Sequence, residues 1–519
     1  MNVGSLLSRS AARFPDKIAL IEGERKVSYY KFNNRVNKLA NKLLRLNIQK
    51  GDKVSLYLHN SIEWVEIYFA LSKIGVVIVP INFRLKGNEL VYIIRNSDSK
   101  FLFFDTDLQQ NIESVKMDLK GINEFILLGD TPKNKYLSYE ELFKNTSSIE
   151  PNVSVSEEDI HSICYTSGTT GLPKGAVLTN LNILTVHYLI NTAEFGVTLY
   201  DTILITTSIS QRIGWAKLVT GIALGSTLVI MTSFDAQEAI KIVKKEKVTI
   251  MSIVPTILRL ILQTLHIESY NSTSLRVLFV GGEAFPIELK KDLTEKLPNI
   301  KLVSYYASTE AGHITTLLSE DILKKPYSVG RPIPCAQVKI VDEEGEEMIA
   351  GEVGEIIVRS GKPGTFCVMK EYYKEPDYTK ESFWGEWFRT GDVGRLDNDG
   401  YLYIVDRKKD MIVSGGYNIY SKEIEMLLES YEKVYEAAVI GVPDEKYGEA
   451  VKAFIVLKKG MQATENELIE YCKANMASYK KPRYIEFVDF LPKNVTGKVL
   501  KYKLKEIESY GILVGKDKK

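Results

Sequence analysis

The loop of residues 165–175 holds the side chains of this chain that are best suited to chemistry. It reads Tyr-Thr-Ser-Gly-Thr-Thr-Gly-Leu-Pro-Lys-Gly, with three glycines, four Ser/Thr hydroxyls and one lysine. Glycines let backbone N–H groups approach a ligand closely, and hydroxyls and a lysine add hydrogen-bond donors. The loop therefore suits a polyphosphate, although a generic loop of this composition is more often a flexible, solvated turn.

The loop stands between two predicted strands, residues 160–164 and 176–178. It is not the P-loop of kinases and GTPases, because that motif needs Ser or Thr directly after its lysine and opens a helix. Here Gly175 follows Lys174 and a strand is predicted next. The loop is therefore a different kind of phosphate site.

The order of residues in this loop resembles the phosphate loop of the adenylate-forming superfamily, which contains acyl-CoA synthetases, luciferases and the adenylation domains of peptide synthetases. Further motifs in the expected order extend the resemblance over nearly the whole chain, closest to the fatty-acid–CoA ligases. The resemblance implies that the loop holds the β- and γ-phosphates of ATP. The matching residues are Thr166, Ser167, Gly168, Thr169, Thr170, Gly171 and Lys174.

Two later segments resemble nucleotide motifs of the same family. The family's adenine site, whose backbone lies against the purine, is matched by Gly282, Glu283 and Ala284. Its Tyr-Gly-x-Thr-Glu motif is Tyr-Ala-Ser-Thr-Glu here, at residues 306–310. The resemblance implies that Tyr306 stacks on the adenine, Thr309 bonds the α-phosphate and Glu310 holds Mg²⁺. A core aromatic is the alternative for Tyr306, and Ala307 in place of glycine leaves the backbone less free.

The sequence Arg-Thr-Gly-Asp at residues 389–392 matches the family's ribose motif, which implies that Asp392 accepts hydrogen bonds from the two ribose hydroxyls. A carboxylate suits a vicinal diol because both O–H groups can donate to it. Ile404 and Arg407 match positions near the ribose and the phosphate. Lys409 matches the hinge at which a small C-terminal domain rotates, although a lysine in such a charged run is also typical of an exposed surface.

The last motif reads Pro-Lys-Asn-Val-Thr-Gly-Lys and ends at Lys498. The resemblance implies that this lysine is catalytic, together with Thr309 and Glu310, and bridges the substrate carboxylate and the α-phosphate. Its charge would offset the repulsion between these two anions. Gly415 and Gly416 resemble the loop that borders the pantetheine arm of CoA after adenylation, with an ordinary Gly-Gly turn as the alternative.

The predicted wall of the acid pocket consists of Gln211, Trp215, Val280, Gly281 and Ala307. Gln211 stands where many relatives carry a histidine ahead of a helix. The small Gly281 and Ala307 leave room, and no acidic residue is placed to meet an amino group, which favours an apolar acid over an amino acid. Core packing would explain Trp215 and Val280 equally well.

The composition fits a soluble globular enzyme of a reducing cytosol. With 67 Lys+Arg against 66 Asp+Glu, the formal charge of +1 gives no sign of nucleic-acid binding. Four scattered cysteines without a C-x-x-C motif argue against a zinc site or a disulfide framework. No run approaches the ~18 apolar residues of a membrane span, and residues 1–19 lack the apolar core of a secretory signal. A cytoplasmic location is expected, and peripheral membrane association stays open.

The order of predicted elements indicates an α/β fold with two domains. At 519 residues the chain exceeds one ordinary domain. Helices and strands alternate up to the 306–310 motif, which is typical of layered, mostly parallel sheets, and a β-rich subdomain follows from Gly330. The N-terminal domain, 1–406, is predicted to contain two layered α/β sheets and this subdomain, and 407–519 a smaller, mobile α+β domain. Thr179, Ser421 and Thr464 are predicted helix N-caps.

The sequence thus predicts an ATP-dependent acyl-CoA synthetase that uses Mg²⁺ and CoA and activates a medium- or long-chain fatty acid. The acid is adenylated with release of pyrophosphate, and the acyl group is then transferred to CoA. An aryl-acid CoA ligase, an enzyme that loads a carrier protein and a non-catalytic nucleotide- or acyl-CoA-binding regulator are the alternatives, the last disfavoured by Lys498, Glu310 and Asp392. A homodimer, the length of the acid and the pathway stay open.

Overall fold

The computed structural model describes residues 1–129, 135–166, 172–264, 274–282, 285–415, 417–493 and 499–515. Residue contacts divide the chain into two compact units. Unit 1 consists of Met1–Val338 with Val358–Phe388, and unit 2 of Lys339–Ile357 with Arg389–Lys519. The predicted mixed α/β fold class is confirmed.

Unit 1 contains two large sheets. The first has nine described strands in the spatial order Arg331–Pro332, Gly312–Leu317, Lys301–Ser308, Val277–Val280, Ile250–Ile253, Thr202–Ile205, Thr227–Ile230, Ile18–Glu22 and Arg25–Ser28. The second has eight described strands in the order Glu371–Tyr372, Lys174–Thr179, Ile160–Thr166, Val77–Ile81, Lys53–Tyr57, Ser99–Asp105, Glu124–Leu128 and Leu137–Ser138. In both sheets the central strands are parallel, and the antiparallel pairs lie toward the edges.

The helices of unit 1 connect and cover these strands. Their described bounds are Val3–Arg13, Tyr29–Arg45, Ile62–Lys73, Gly87–Asn96, Gln109–Val115, Asn180–Leu184, Asn191–Phe195, Arg212–Leu224, Ala236–Lys245, Pro255–Thr264, Ile287–Lys296 and Pro376–Glu381. The N-cap predicted at Thr179 is confirmed, because its side chain accepts a hydrogen bond from the backbone N–H of Asn182. Among the described helices of the chain, none is both long and apolar enough to cross a membrane.

Helix Ile62–Lys73 is the central layer of unit 1. Every residue from Trp64 to Lys73 is buried, and the helix contacts strand Ile18–Glu22 of the first sheet and strand Val77–Ile81 of the second. A helix that is covered on all sides must be apolar on nearly all sides. Its buried residues meet this requirement except for Glu66, Ser72 and Lys73, each of which has a hydrogen-bond partner.

Unit 2 is a smaller α+β unit. Three described strands carry the chain between the units, namely Gln337–Val341, Gly354–Arg359 and Trp387–Leu396. The other strands are Leu402–Arg407, Ile412–Ser414, Tyr417–Ile419, Val434–Asp444, Gly448–Leu457 and Tyr484–Phe487, and the helices are Ser421–Glu429, Glu465–Asn475 and Lys501–Gly515. The capping box predicted at Thr464 is confirmed, because the N–H of Glu467 donates to its hydroxyl at 3.2 Å. The N-cap predicted at Ser421 is wrong, because Ser421 is the first residue of its helix and its hydroxyl donates to Asp406 Oδ2 at 2.7 Å.

A buried carboxylate ties the central helix to its neighbours. Glu66 is 1% exposed, and its Oε1 accepts a hydrogen bond from Arg35 Nε at 2.6 Å. Its Oε2 accepts one from the Tyr139 hydroxyl at 2.7 Å. Burial raises the pKa of Glu66 in spite of these partners. The carboxylate therefore depends on Arg35 to remain ionised inside the protein.

Replacing Arg35 by Met should lower the free energy of unfolding by about 3 kcal/mol, because a buried carboxylate that loses its partner is left uncompensated. Arg25 provides a matched control, since it pairs with Glu63 at 2.5 Å and its own side chain is 53% exposed. Arg25→Met should cost less than about 1 kcal/mol. Urea unfolding followed by circular dichroism measures both losses, and equal losses would contradict the expectation.

Candidate active site

Glu310 lies two residues after the end of strand Lys301–Ser308 in the first sheet. Its Oε1 accepts a hydrogen bond from Thr166 Oγ1 at 2.8 Å and another from the Tyr372 hydroxyl at 3.3 Å. Thr166 is the last residue of strand Ile160–Thr166 in the second sheet. The structure thus brings the first hydroxyl of the predicted phosphate loop into contact with the predicted Mg²⁺ ligand.

Lys174 stands at the other end of the phosphate loop. It begins strand Lys174–Thr179, and its backbone pairs with that of Thr166 across the antiparallel hairpin. Its Nζ lies 3.7 Å from the centroid of the Tyr378 ring, and burial lowers the pKa of the lysine. The two ends of the loop therefore present a hydroxyl and an ammonium group, both of which bind phosphate oxygens.

Several predicted site residues lie outside the described residues. They are Ser167, Gly168, Thr169, Thr170 and Gly171 of the phosphate loop, Glu283 and Ala284 of the adenine motif, Gly416, and Lys498. Their roles stay predictions from the sequence.

The end of strand Val277–Val280 is followed by two glycines that the structure requires. A Cβ on Gly281 would lie 2.5 Å from Cζ of the Tyr305 ring, which packs directly over this position. Gly282 has a φ of +86°, in the left-handed region that side chains disfavour. The space beside Gly281 that the sequence suggested for the acid is therefore bordered closely by Tyr305.

Tyr306, Ala307 and Thr309 lie along the same strand end as Glu310. Tyr306 and Thr309 are half-buried and Ala307 is exposed, with a register shift between Tyr306 and Ala307. The carbonyl of Thr309 accepts a hydrogen bond from Arg212 Nη1 at 2.5 Å. Because a bulge re-aims the side chains that follow it, this end of the strand can present them to a ligand.

The predicted acid-pocket residues on helix Arg212–Leu224 differ in their surroundings. Gln211 is the half-buried N-cap of the helix. Trp215 is 1% exposed, and its ring lies 5.8 Å from that of Tyr68 and 5.3 Å from that of His187, measured between centroids. Trp215 therefore packs in an aromatic cluster, whereas Gln211 is partly accessible.

Sequence reasoning missed two buried cations on the same helix. Arg212 is 8% exposed, and besides its bond to Thr309 its Nε donates to His187 Nε2 at 3.3 Å. Burial lowers the pKa of His187, so the neutral ring can accept this bond. Lys217 is 4% exposed, and its Nζ lies 3.9 Å from the centroid of the Phe279 ring. The available signal was a pair of cations within an otherwise apolar helix, since such groups are rarely buried without a partner.

In unit 2, strands Trp387–Leu396 and Leu402–Arg407 bring two predicted ribose-site residues together. Asp392 and Arg407 are directly opposite in the antiparallel register, and Arg407 Nε lies 2.7 Å from Asp392 Oδ1. Asp392 is 5% exposed, and Ile404 is half-buried on the same strand as Arg407. The guanidinium therefore orients the carboxylate that the sequence assigned to the ribose.

The predicted hinge and CoA-loop residues follow shortly after this strand pair. Lys409 is exposed in the short turn Lys408–Asp410. Gly415 has a φ of +57°, and its N–H donates to the Tyr447 carbonyl at 2.8 Å. An exposed turn between strands can change its backbone angles without breaking buried packing, as a hinge must.

Gly281→Ala should lower the free energy of unfolding by about 1–3 kcal/mol, because its methyl group must displace the Tyr305 ring from a packed position. Gly121→Ala is the control, since a Cβ there would meet nothing within 4 Å. It should change stability by less than about 0.5 kcal/mol. Urea unfolding of both variants is the measurement, and an unchanged Gly281→Ala protein would show that Tyr305 does not hold this position.

Two family models match the chain. The model described as AMP-binding enzyme matches residues 7–373, and the model described as AMP-binding enzyme C-terminal domain matches residues 423–498. The first match includes the phosphate loop and Glu310, and the second ends at Lys498.

Relatives and solved structures match over nearly the full length. A long-chain-fatty-acid–CoA ligase of Mycobacterium tuberculosis, FadD13, is 35% identical over 97% of this chain and 98% of its own. The crystal structure of the anthranilate CoA ligase AuaEII in complex with anthranoyl-AMP has a TM-score of 0.90 at 28% identity and covers 99% of this chain and 98% of that one. The o-succinylbenzoate CoA synthetase MenE of Bacillus subtilis, in complex with ATP and magnesium ion, has a TM-score of 0.85 at 30% identity, covering 96% and 99%.

Proposed function

Because the chain belongs to the AMP-binding enzyme family, we propose that it is an acyl-CoA synthetase, an ATP-dependent acid–thiol ligase. It joins a carboxylic acid to AMP with release of pyrophosphate and then transfers the acyl group to the thiol of CoA. The observation that carries the proposal is the hydrogen bond between Thr166 and Glu310, which sets a phosphate-loop hydroxyl against a carboxylate. The fold shared with a CoA synthetase complexed with ATP and magnesium ion supports it.

The described residues fit Mg²⁺ and ATP. Mg²⁺ takes oxygen ligands, commonly one or two carboxylates together with substrate phosphates, and Glu310 supplies a carboxylate beside the Thr166 hydroxyl. Lys174 adds a cation at the other end of the same loop. When bound, the ion neutralises phosphate charge and so makes pyrophosphate a better leaving group.

The first half-reaction solves a problem of charge and leaving group. A carboxylate is anionic and has a poor leaving group, so a thiol cannot attack it at neutral pH, whereas an acyl adenylate releases AMP readily. In this proposal Lys498 offsets the repulsion between the carboxylate and the α-phosphate, to which Thr309 donates a hydrogen bond. Tyr306 stacks on the adenine, and Asp392 accepts the ribose hydroxyls.

The second half-reaction needs a different set of residues at the same acyl carbon. We assign residues 1–406 to a domain that holds the acid and the nucleotide, and residues 407–519 to a mobile domain. Rotation at Lys409 would replace Lys498 by Gly415 and Gly416, whose lack of side chains lets the pantetheine arm pass. The exposed turn that holds Lys409 supports this assignment, because a hinge there breaks no buried packing.

The acid we favour is a medium- or long-chain fatty acid. The buried, apolar Val280 and Trp215 support an apolar acyl group, and the named substrate of the Mycobacterium tuberculosis relative supports a fatty acid. An aryl acid is the second candidate, supported by the complex of the anthranilate ligase with anthranoyl-AMP. Measuring the release of AMP with fatty and with aromatic acids, and with CoA or a carrier protein as the acceptor, separates these candidate substrates.

A cytoplasmic location fits the use of ATP and CoA by the proposed enzyme. Gel filtration distinguishes a monomer from a homodimer.

Lys498→Ala should lower acid-dependent exchange of labelled pyrophosphate into ATP by about 10²–10³-fold, because it removes the charge that stabilises the transition state of adenylation. Thioester formation from a preformed acyl adenylate should change much less, since no carboxylate attacks phosphorus in that step. Lys493→Ala is a control from the same motif, because its ammonium already pairs with Glu436 of unit 2 at 2.8 Å. A wild-type protein that is silent with every acid tested would instead indicate a non-catalytic binding protein.

A further inference from the structure

Lys217 is a buried cation that the proposed mechanism does not use. It is 4% exposed, and its Nζ lies over two aromatic rings, 3.9 Å from the centroid of Phe279 and 5.2 Å from that of Phe195. Among the described residues, it makes no hydrogen bond or ion pair with a carboxylate. A buried ammonium without an anionic partner is costly, so its retention points to a role beyond packing.

The titratable groups around Lys217 are basic. His187, His313 and Arg212 lie near enough to interact electrostatically with one another or with Lys217. Burial lowers the pKa of Lys217 to about 7, and no carboxylate raises it again. Burial also lowers the pKa of His187 and His313, so both rings are neutral. An anion that entered this region would therefore meet the charges of Arg212 and of protonated Lys217 in a place of low dielectric, where attraction is strong.

The position of Lys217 relative to the proposed nucleotide site follows from the helix and the strand beside it. Ile213 and Lys217 are four residues apart and so share one face of the helix. Cδ1 of Ile213 lies 3.4 Å from the place of a Cβ on Gly282, and Phe279 precedes Gly281 by two residues. Lys217 thus lies about one helical turn, ~5.4 Å, behind the glycines of the adenine motif.

We propose, on the basis of the acid–thiol ligase function above, that Lys217 binds a second carboxylate at the far end of the acid. The reacting carboxylate would lie near Gly281 and Gly282, and the acyl chain would extend along the helix face of Ile213 toward the Lys217 ammonium. The substrate class is then a dicarboxylic acid with an apolar middle, such as a fatty acid that carries a carboxylate at its ω-carbon. The buried ammonium gains the partner that it lacks in the free protein.

The test compares adipic and suberic acids with hexanoic and octanoic acids in acid-dependent release of AMP. The wild type should show at least a tenfold higher kcat/KM for a diacid than for the monoacid of equal length. Lys217→Met keeps the volume of the side chain and removes its charge, so it should lose at least tenfold on the diacid, mainly through KM, and equal or exceed the wild type on the monoacid. Lys217→Gln should lose the diacid preference as well.

Lys290→Met is the matched control. Lys290 is another buried lysine of unit 1, 3% exposed, but its Nζ donates to the Pro326 carbonyl at 2.5 Å. This variant should leave the ratio of diacid to monoacid activity unchanged. A wild type that prefers monoacids, or a Lys217→Met enzyme that loses both activities equally, would overturn the role of Lys217 while leaving the ligase function intact. Silence with all acids would instead refute the ligase function.

A separate observation concerns two cysteines that are 32 residues apart in the chain. The Sγ atoms of Cys335 and Cys367 lie 3.1 Å apart, and both thiols are free. Ser360 holds the two segments together, because its hydroxyl donates to the Cys335 carbonyl at 2.7 Å and accepts from the Cys367 N–H at 3.1 Å. A disulfide has an S–S bond of about 2.05 Å, so a shift of roughly 1 Å would join them.

We infer that Cys335 and Cys367 form a disulfide when a peroxide is present. The two thiols lose two protons and two electrons and form the S–S bond, while the O–O bond of hydrogen peroxide breaks to give two waters. Met369, two residues after Cys367, donates its N–H to the Glu310 carbonyl at 2.6 Å. The new bond would therefore restrain the segment that holds the backbone of the proposed Mg²⁺ ligand.

Treatment of the full-length protein with hydrogen peroxide should lower its free thiols from four to two, with a Cys335–Cys367 peptide in the non-reducing digest and recovery of all thiols after dithiothreitol. Cys335→Ser should prevent this bond, whereas Cys472→Ser, at a buried cysteine of unit 2, should not. Retention of all four thiols, or a crosslink to another cysteine, would refute the inference.

Discussion

The hydrogen bond between Thr166 and Glu310 joins the ends of strands from the two large sheets of unit 1, and the proposed phosphate and Mg²⁺ sites depend on it. Two sheets can hold such side chains in register only if a common layer fixes both. Helix Ile62–Lys73 provides this layer, because all its residues except Glu63 are buried and it contacts a strand of each sheet. Close packing makes the layer stiff, so the distance between a phosphate-loop hydroxyl and a carboxylate is set by the core.

The core around the N-terminus of helix Arg212–Leu224, whose Arg212 binds the carbonyl next to Glu310, is not arranged for stability. In the described part of the chain, buried donors without a hydrogen-bond partner include the Tyr68 hydroxyl, Arg212 Nη2 and Trp215 Nε1. Each unsatisfied buried group costs about 1–3 kcal/mol, which is large against a typical total stability of about 5–15 kcal/mol. A sequence selected for stability alone would remove them. Their concentration around one helix N-terminus is expected where binding, rather than stability, has set the residues.

The sequence predicted those structural features that are determined by residues close together in the chain. The N-caps at Thr179 and Thr464 were predictable because a cap and its partner are three residues apart. The alternation of helices and strands was predictable for the same reason, because each element is formed by residues that are close together in the chain. The order of residues in the phosphate loop and in the 306–310 motif identified the family without any knowledge of packing, and the family is confirmed.

The sequence could not predict contacts between segments that are distant in the chain. Thr166 and Glu310 are 144 residues apart, and nothing in either segment specifies the other. Lys217 reads as one more lysine among 67 basic residues until the fold buries it against Phe279. The four cysteines look scattered because only the fold brings Cys335 to Cys367. Such pairs are products of the whole topology.

The pairing of Asp392 with Arg407 constrains where a moving domain can begin. The two residues are opposite each other in the ladder between strands Trp387–Leu396 and Leu402–Arg407, and their side chains form an ion pair at 2.7 Å. A carboxylate can accept several hydrogen bonds, so Asp392 can keep Arg407 while it binds a ribose diol. A rotation that moved Arg407 away would break both the ladder and the ion pair. A rotation at Lys409, in the turn beyond the strand, would break neither. The proposed ribose site therefore survives both half-reactions if Arg407, the first residue of the proposed mobile domain, stays with its strand and the rest of that domain turns at Lys409.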